Sequence, residues 1–329
     1  MPKQKTLRLT TAAVLVAFSL ALGAGSATAQ DKKIIIGFVP ENIQDPGFRA
    51  VQRSMIQQLG NAGEIRGGDA QNSAEQQVSV VENLLSAGAN CLIIRARNTN
   101  TLAPVAERAK KAGVPVIGIF DTFGGADVVV GFDQRELGYS SGALGGRYLR
   151  ENHGGRGKVF VLNANSLGGT TVDRALAIVD GLKATAPDAI VVANVEAFTV
   201  EKASEVVSAA LQAHPDVRLV VTTNDAGARG ALAALKNGGR AVPGQAGVVA
   251  IAGEGTIETL QLIRNGEIYG TTSAALLEIG AKAVEVCQQL LAGKQTDKRI
   301  NFSPLPVLTR TNVGDQFQKI ENLNKIPVR

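Results

Sequence analysis

Residues 113–121 read GVPVIGIFD, and this stretch decides the fold class. Gly113 follows a helical pattern, at the position where a left-handed cap is expected. Residues 115–119 are apolar on both faces, which is typical of a central strand in a parallel sheet. Phe120 and Asp121 then place a ring and a carboxylate at the carboxyl end of that strand, where open α/β sheets bind ligands. A ligand site at this edge is the favoured interpretation, and an ordinary surface loop is the alternative.

The same alternation of strand and helix patterns continues along the chain. Amphipathic helical patterns separate the apolar runs, which predicts parallel sheets with right-handed crossovers. About ten strands exceed what one sheet usually holds, so we expect an α/β fold with two doubly wound parallel-sheet lobes. A long helix at 276–291 and an extended tail through 307–311 complete the pattern. The strand-like runs lie at 34–39, 64–69, 91–96, 115–120, 128–132, 158–162, 190–195, 218–222, 247–252 and 268–273.

Residues 1–29 have the composition of a secretory signal peptide. Three basic residues precede an apolar run at 9–22, and Ala27 and Ala29 form an A-x-A cleavage signal. A transmembrane helix is the alternative, but the run is short and contains threonine and serine. We therefore expect cleavage after Ala29 and export of the mature chain.

Removal of that segment changes the charge balance. The chain has 34 Lys and Arg against 29 Asp and Glu, and the segment holds three of the basic residues and none of the acidic ones. The mature chain keeps 31 basic residues, a net charge of +2. Such a balance gives no support to nucleic-acid binding.

Cysteines and histidines bear on compartment and chemistry. Cys91 opens an apolar strand and Cys287 lies on the apolar stripe of a helix, which favours two buried thiols; after export a disulfide is the alternative. His153 and His214 lie in polar helix-end or loop contexts, without metal-ligand spacing and without an adjacent nucleophile. We therefore predict no metal site, no cofactor and no catalytic triad, and hence no enzyme.

Aromatic and hydrogen-bonding residues recur at the ends of the predicted strands. Each could be a cap or turn residue, and Asp45 before Pro46 has the features of an N-cap. Together they supply flat faces for C–H surfaces and planar charged groups for hydroxyls, as a polyhydroxylated ligand requires. The candidates are Asp45, Phe48, Arg95, Phe120 and Asp121 in the first half, and Arg174, Phe198, Asn224 and Glu254 in the second.

Four motifs carry a resemblance to a known family. They are GFVPENIQDPGF (37–48), AGANCLIIRARNTNTLAPVAERAKKAGVPVIGIFD (87–121), GFDQRELGYSSGALGGRYL (131–149) and LQAHPDVRLVVTTNDAGARGALAALKNGG (211–239). In order and spacing, from about residue 33 to 313, the chain resembles the type I periplasmic sugar-binding proteins of the ribose-binding group, which serve ABC importers.

The resemblance implies two α/β lobes joined by a three-crossing hinge, with the ligand in the cleft between them. The crossings are expected near residues 133–135, near Ala274 and near Pro304. The implied N-terminal lobe comprises 30–132 and 275–303, and the C-terminal lobe 133–274 and 304–329. A periplasmic monomer that delivers a monosaccharide or polyol to an inner-membrane ABC permease is the implied function.

In the first lobe the resemblance transfers unevenly to single residues. Phe48 matches an aromatic wall, and Asp45 stands where the family often has Asn. Phe120 and Asp121 replace an Asp and an Arg of the ribose-binding members, and Arg95 stands where Asn is more usual. Arg95 either pairs with Asp121 or, with Arg174, binds the carboxylate of an acidic sugar.

In the second lobe Phe198 and Asn224 match a family aromatic and a family Asn. Arg174 resembles the second-lobe Arg, although it lies about one turn early. Glu254 replaces an Asp, and Ala274 replaces a ligand-binding Gln. These departures predict a neutral monosaccharide or polyol rather than ribose, with an acidic sugar as the alternative.

Three other function classes are open to test. A dinucleotide-dependent enzyme would need a G-x-G-x-x-G after the first strand, which instead reads GFVPEN. A repressor of the lactose-repressor family would need a helix-turn-helix where the signal peptide lies. A receptor that presents its ligand to a membrane sensor would share every motif, so the sequence leaves import and sensing open.

Overall fold

The computed structural model describes residues 33–167, 170–240, 247–252 and 256–328. The predicted signal peptide and Glu254 lie outside these residues. Throughout the described ranges, every helix is too short or too polar to cross a membrane. The strands are β1 (Ile34–Val39), β2 (Gly63–Gly67), β3 (Cys91–Ile94), β4 (Val116–Ile119), β5 (Val128–Phe132), β6 (Gly157–Asn163), β7 (Ala189–Glu196), β8 (Val217–Thr222), β9 (Gly247–Ala252), β10 (Gly270–Ser273), β11 (Arg299–Phe302) and β12 (Val307–Thr309). The helices are α1 (Pro46–Leu59), α2 (Ala74–Ser86), α3 (Thr99–Lys111), α4 (Gln134–His153), α5 (Thr170–Thr185), α6 (Val200–Ala213), α7 (Asp225–Asn237), α8 (Ile257–Arg264), α9 (Leu276–Leu291) and α10 (Val313–Leu323).

The described strands form two six-stranded sheets. Sheet 1 has the order β11-β5-β4-β3-β1-β2, and sheet 2 has the order β12-β10-β9-β8-β6-β7. All pairs are parallel except β10 with β12, which is antiparallel. The predicted α/β fold with two parallel-sheet lobes is confirmed.

Central strands and capped helices explain why these elements form. Every residue of β3, β4 and β5 is buried, as a parallel sheet covered by helices on both faces requires. Helices α1 and α7 begin directly after the loops that follow β1 and β8. The side chain of Asp45 accepts hydrogen bonds from the first turn of α1, and Asn224 does the same for α7. The caps therefore fix polar residues at the carboxyl edges of both sheets.

The chain crosses between the sheets three times. It leaves sheet 1 after β5, returns after β10 with α9 packed against α1, and leaves again between β11 and β12. At the third crossing the Leu305 amide donates to Glu136 Oε1 of α4 at 2.8 Å. The lobe boundaries at 132/133, 274/275 and 303/304 stay a prediction.

Two elements near the C-terminus were missed by the sequence analysis. Strand β11 extends the edge of sheet 1 beside β5, although its residues alternate between exposed and half-buried positions and form no apolar run. Its place is set by tertiary pairing. Helix α10 packs on α8, and its buried residues Val313, Ile320 and Leu323 have a helical spacing that was visible in the sequence.

Cys91 and Cys287 form a disulfide, so the favoured prediction of two buried thiols was wrong. Cys91 begins β3, and Cys287 lies on the face of α9 that packs against sheet 1. Their Cα atoms are 6.3 Å apart, and both residues are fully buried. The two residues are 196 positions apart, so only the return of α9 onto sheet 1 brings them together. The bridge ties that returning helix to the sheet.

Reduction of this disulfide should destabilise the fold, because the bridge restricts the unfolded chain across a long loop. We expect the free energy of unfolding to fall by about 2–4 kcal/mol on adding a reductant. The C91A/C287A double variant is the control and should not respond to the reductant. Two free thiols, found by titration in denaturant without reductant, would contradict the bridge.

Candidate functional site

A cavity of about 240 Å³ lies at the carboxyl edges of the strands, lined from both lobes. Sheet 1 and its helices contribute a floor, and α4, α5 and the start of α7 contribute the opposite wall. The lining residues are Glu41, Asp45, Gly47, Phe48, Arg95, Phe120, Phe132, Gln134, Arg174, Asn224 and Leu276.

Three aromatic rings form the floor. Phe48 lies in the first turn of α1, Phe120 follows β4, and Phe132 ends β5. The ring centroids of Phe48 and Phe120 are 6.2 Å apart, and those of Phe120 and Phe132 are 5.7 Å apart. Phe48 and Phe120 are only half-buried, so their faces are accessible from the cavity. Leu276, at the start of α9, continues this apolar surface.

The backbone of Phe120 has a left-handed conformation, with φ at 71°. Such a conformation costs a non-glycine residue about 1–3 kcal/mol and is concentrated at functional sites. It is held by the Phe120 amide, which donates to Val130 O at 2.9 Å, and by close contact with Gly131. A Cβ atom on Gly131 would lie 2.7 Å from Phe120 O. Glycine at 131 therefore permits the backbone that turns Phe120 into the cavity.

A charged group borders the same floor. Arg95 Nη2 is 3.2 Å from Asp121 Oδ2, and Arg95 Nη1 is 3.6 Å from Glu41 Oε1. Nη1 also donates to Ala96 O at 2.7 Å, and the guanidinium carbon lies 5.9 Å from the centre of the Phe120 ring. Of the two alternatives for Arg95, the structure contains the pair with Asp121, and it adds Glu41 as a second carboxylate.

The opposite wall is a hydrogen-bonded group of polar side chains. Arg174 Nε donates to Gln134 Oε1 at 2.8 Å, and its Nη1 donates to Thr223 O at 3.0 Å. Asn224 Oδ1 accepts from Gly227 N at 2.9 Å as the α7 cap, while its Nδ2 donates to Phe198 O at 2.8 Å. The arginine and the amides are thus fixed in place by neighbouring groups.

Beneath Asn224, Asp225 anchors the second-lobe wall. The carboxylate accepts from both the amide and the hydroxyl of Thr256, each at 2.8 Å, which ties the start of α7 to that of α8. Burial raises the pKa of Asp225, because the charged form loses its hydration. The sequence analysis treated Asp225 only as part of a cap.

The structure brings six predicted site residues to the cavity lining. They are Asp45, Phe48, Arg95, Phe120, Arg174 and Asn224. Asp121 adjoins them through Arg95, whereas the side chain of Phe198 is not among the lining groups. Sequence reasoning missed Glu41, Phe132, Gln134 and Leu276. Glu41, Phe132 and Gln134 lie within the quoted motifs, next to the ends of β1 and β5, so position at a strand end was the available signal.

Comparison with known proteins places the fold in a family. A family model described as a periplasmic binding protein domain matches residues 36–295. The chain belongs to the periplasmic binding protein family. Ribose import binding protein RbsB of Bacillus subtilis is 25% identical over 290 residues, 87% of this chain and 90% of that protein. The xylitol-binding protein of Mycolicibacterium smegmatis is 25% identical over 257 residues, 76% of this chain and 70% of that protein.

A solved structure supports the same assignment at the level of fold. The periplasmic solute binding protein of an ABC transporter from Actinobacillus succinogenes, with bound D-allose, has a TM-score of 0.76 at 21% identity. The match covers 86% of this chain and 100% of that one. The resemblance to type I periplasmic binding proteins of the ribose-binding group is therefore confirmed.

The contact between Gly131 and Phe120 gives a test of the site's construction. Gly131→Ala should lower the free energy of unfolding by about 1–3 kcal/mol, since the new methyl group collides with the Phe120 carbonyl. Gly314→Ala in α10 is the matched control, because a Cβ there meets no atom within 4 Å. Urea unfolding measures both variants, and equal stability of the two would contradict the contact.

Proposed function

We propose that this protein is an extracytoplasmic solute-binding protein that captures a neutral monosaccharide or polyol and delivers it to an ABC importer permease. The observation that carries the proposal is the cavity itself, with aromatic rings on one lobe and amide and guanidinium groups on the other. Sugars present C–H faces and hydroxyl edges, and these two walls complement both. The names of the relatives support the same class of ligand.

The placement of the walls on different lobes supports hinge closure as the mechanism. A ligand that contacts Phe48 and Phe120 on one lobe and Arg174 and Asn224 on the other stabilises only the state in which the lobes are together. That differential affinity is what shifts the population towards closure. The closed form is then the form that the permease recognises.

The charges of the cavity favour a neutral ligand over an acidic sugar. Arg95 lies between the carboxylates of Glu41 and Asp121, so this group carries no net positive charge to attract an anion. Asp45 adds a further carboxylate on the same side. Hydroxyl groups can both donate to these carboxylates and accept from the guanidinium groups.

Ribose is not the proposed ligand, although the Bacillus subtilis relative carries it in its name. Phe120 stands where the ribose-binding members have an Asp, and Ala274 stands where they have a Gln. Two hydrogen-bonding groups are therefore replaced by apolar ones. Capture without turnover, export after cleavage behind Ala29 and a periplasmic location complete the proposal.

The aromatic floor gives a direct test by calorimetry on a panel of pentoses, hexoses, polyols and sugar acids. We expect heat on mixing with at least one neutral member and no chemical change in it. Phe48→Ala should weaken that binding by about 1–3 kcal/mol, since the ring loses its contact with the ligand. Phe317→Ala is the control, because Phe317 lies on α10 against Arg264, outside the cavity.

Three results would count against the proposal. They are binding of no panel member, preference for a sugar acid, and equal affinity of the two phenylalanine variants.

A further inference from the structure

The cavity is apolar at the end nearest the hinge crossings. Phe132 is the last residue of β5 before the first crossing, and Leu276 is the first residue of α9 after the second. Both line the cavity and are otherwise buried, with 4% and 8% of their surface exposed. Behind them, Ala274, Ala275 and Leu305 belong to the same buried cluster.

Phe120 joins this end to the rest of the floor. Its ring lies 5.7 Å from that of Phe132, and the guanidinium of Arg95 lies on its other side, 5.9 Å from the ring centre. The charged groups that border the floor, Arg95 with Glu41 and Asp121, are thus next to Phe120 rather than next to Leu276. A ligand that covers the floor therefore meets charged groups at one end and carbon at the other.

That asymmetry discriminates between a hydroxyl and a methyl group. A ligand hydroxyl against Phe132 and Leu276 would give up its hydrogen bonds to water, and these two side chains offer it no replacement. A methyl group in the same place would gain from leaving water. The cavity, at about 240 Å³, is smaller than the roughly 300–1,000 Å³ of drug-sized sites, so one sugar ring is the appropriate occupant.

We propose that the ligand is a 6-deoxyhexose whose methyl group lies against Phe120, Phe132 and Leu276. Its ring hydroxyls then face Arg95 and Glu41 on the first lobe and Asn224 on the second. The inference rests on the proposed sugar-binding function and adds the substrate class. Leu276 and Phe132 are, on this view, the residues that determine specificity at C6.

Calorimetry on pairs of sugars that differ only at C6 tests this inference. The pairs are L-fucose with L-galactose, D-fucose with D-galactose, and L-rhamnose with L-mannose. In at least one pair the deoxy sugar should bind at least about tenfold more tightly, as expected when a buried hydroxyl has no partner. Leu276→Gln should reduce that preference several-fold, because its amide can bond to the hydroxyl.

The control variant is Leu291→Gln, at the exposed end of the same helix, which should keep the full preference. If Leu276→Gln does not fold, the comparison within each pair on the unaltered protein still decides. Equal or tighter binding of the hydroxylated member in every pair overturns the inference and leaves sugar binding intact. Binding of only a pentose or a polyol from a wider panel overturns it as well. Failure of every sugar and polyol to bind would instead contradict the proposed function.

Discussion

The parallel pairing of β3, β4 and β5 is the constraint on which the site depends. Ile94 pairs with Gly118, and Ile119 pairs with Val130, so the three strands end at the same edge of sheet 1. Arg95, Phe120 and Phe132 are the residues at those ends. No other arrangement of a continuous parallel sheet would bring one charged and two aromatic side chains from three separate segments into contact. The strands themselves are fully buried, so their register is fixed by the core and not by the ligand.

A second constraint is electrostatic. A half-buried guanidinium beside aromatic rings would be costly without partners, and Arg95 has two carboxylates and a carbonyl within reach. This network orients Arg95 over the Phe120 ring before any ligand arrives. The wall formed by Arg174, Gln134 and Asn224 is fixed in the same way by its own hydrogen bonds. Both walls are therefore preorganised, and relative movement of the lobes remains the adjustable part.

The sequence predicted what local patterns determine. The residues of β4 and the cap at Asp45 follow from apolar runs and short-range turn chemistry, and both are present in the structure. Six of nine candidate site residues line the cavity because position at a strand end is itself a local signal. Phe198 shows the limit of that signal, since its carbonyl holds Asn224 while its ring lies away from the lining.

Features that depend on distant segments were beyond the sequence. The disulfide joins a strand to a helix that returns to the sheet only after the whole second lobe has formed. Leu276 reaches the cavity by the same return of the chain. Strand β11 has no apolar pattern of its own and is placed by its pairing with β5. In each case the missing information was the three-dimensional path of the hinge crossings.

Movement of one lobe against the other is the central claim, since ligand capture requires both walls. In this structure Arg53 of α1 donates to Ile326 O at 3.2 Å and to Asn324 Oδ1 at 3.0 Å, which joins a first-lobe helix to the segment after α10. Small-angle X-ray scattering, with and without a saturating sugar that binds, measures the movement most directly. The account predicts a smaller radius of gyration with ligand, and an unchanged radius at saturation would contradict it.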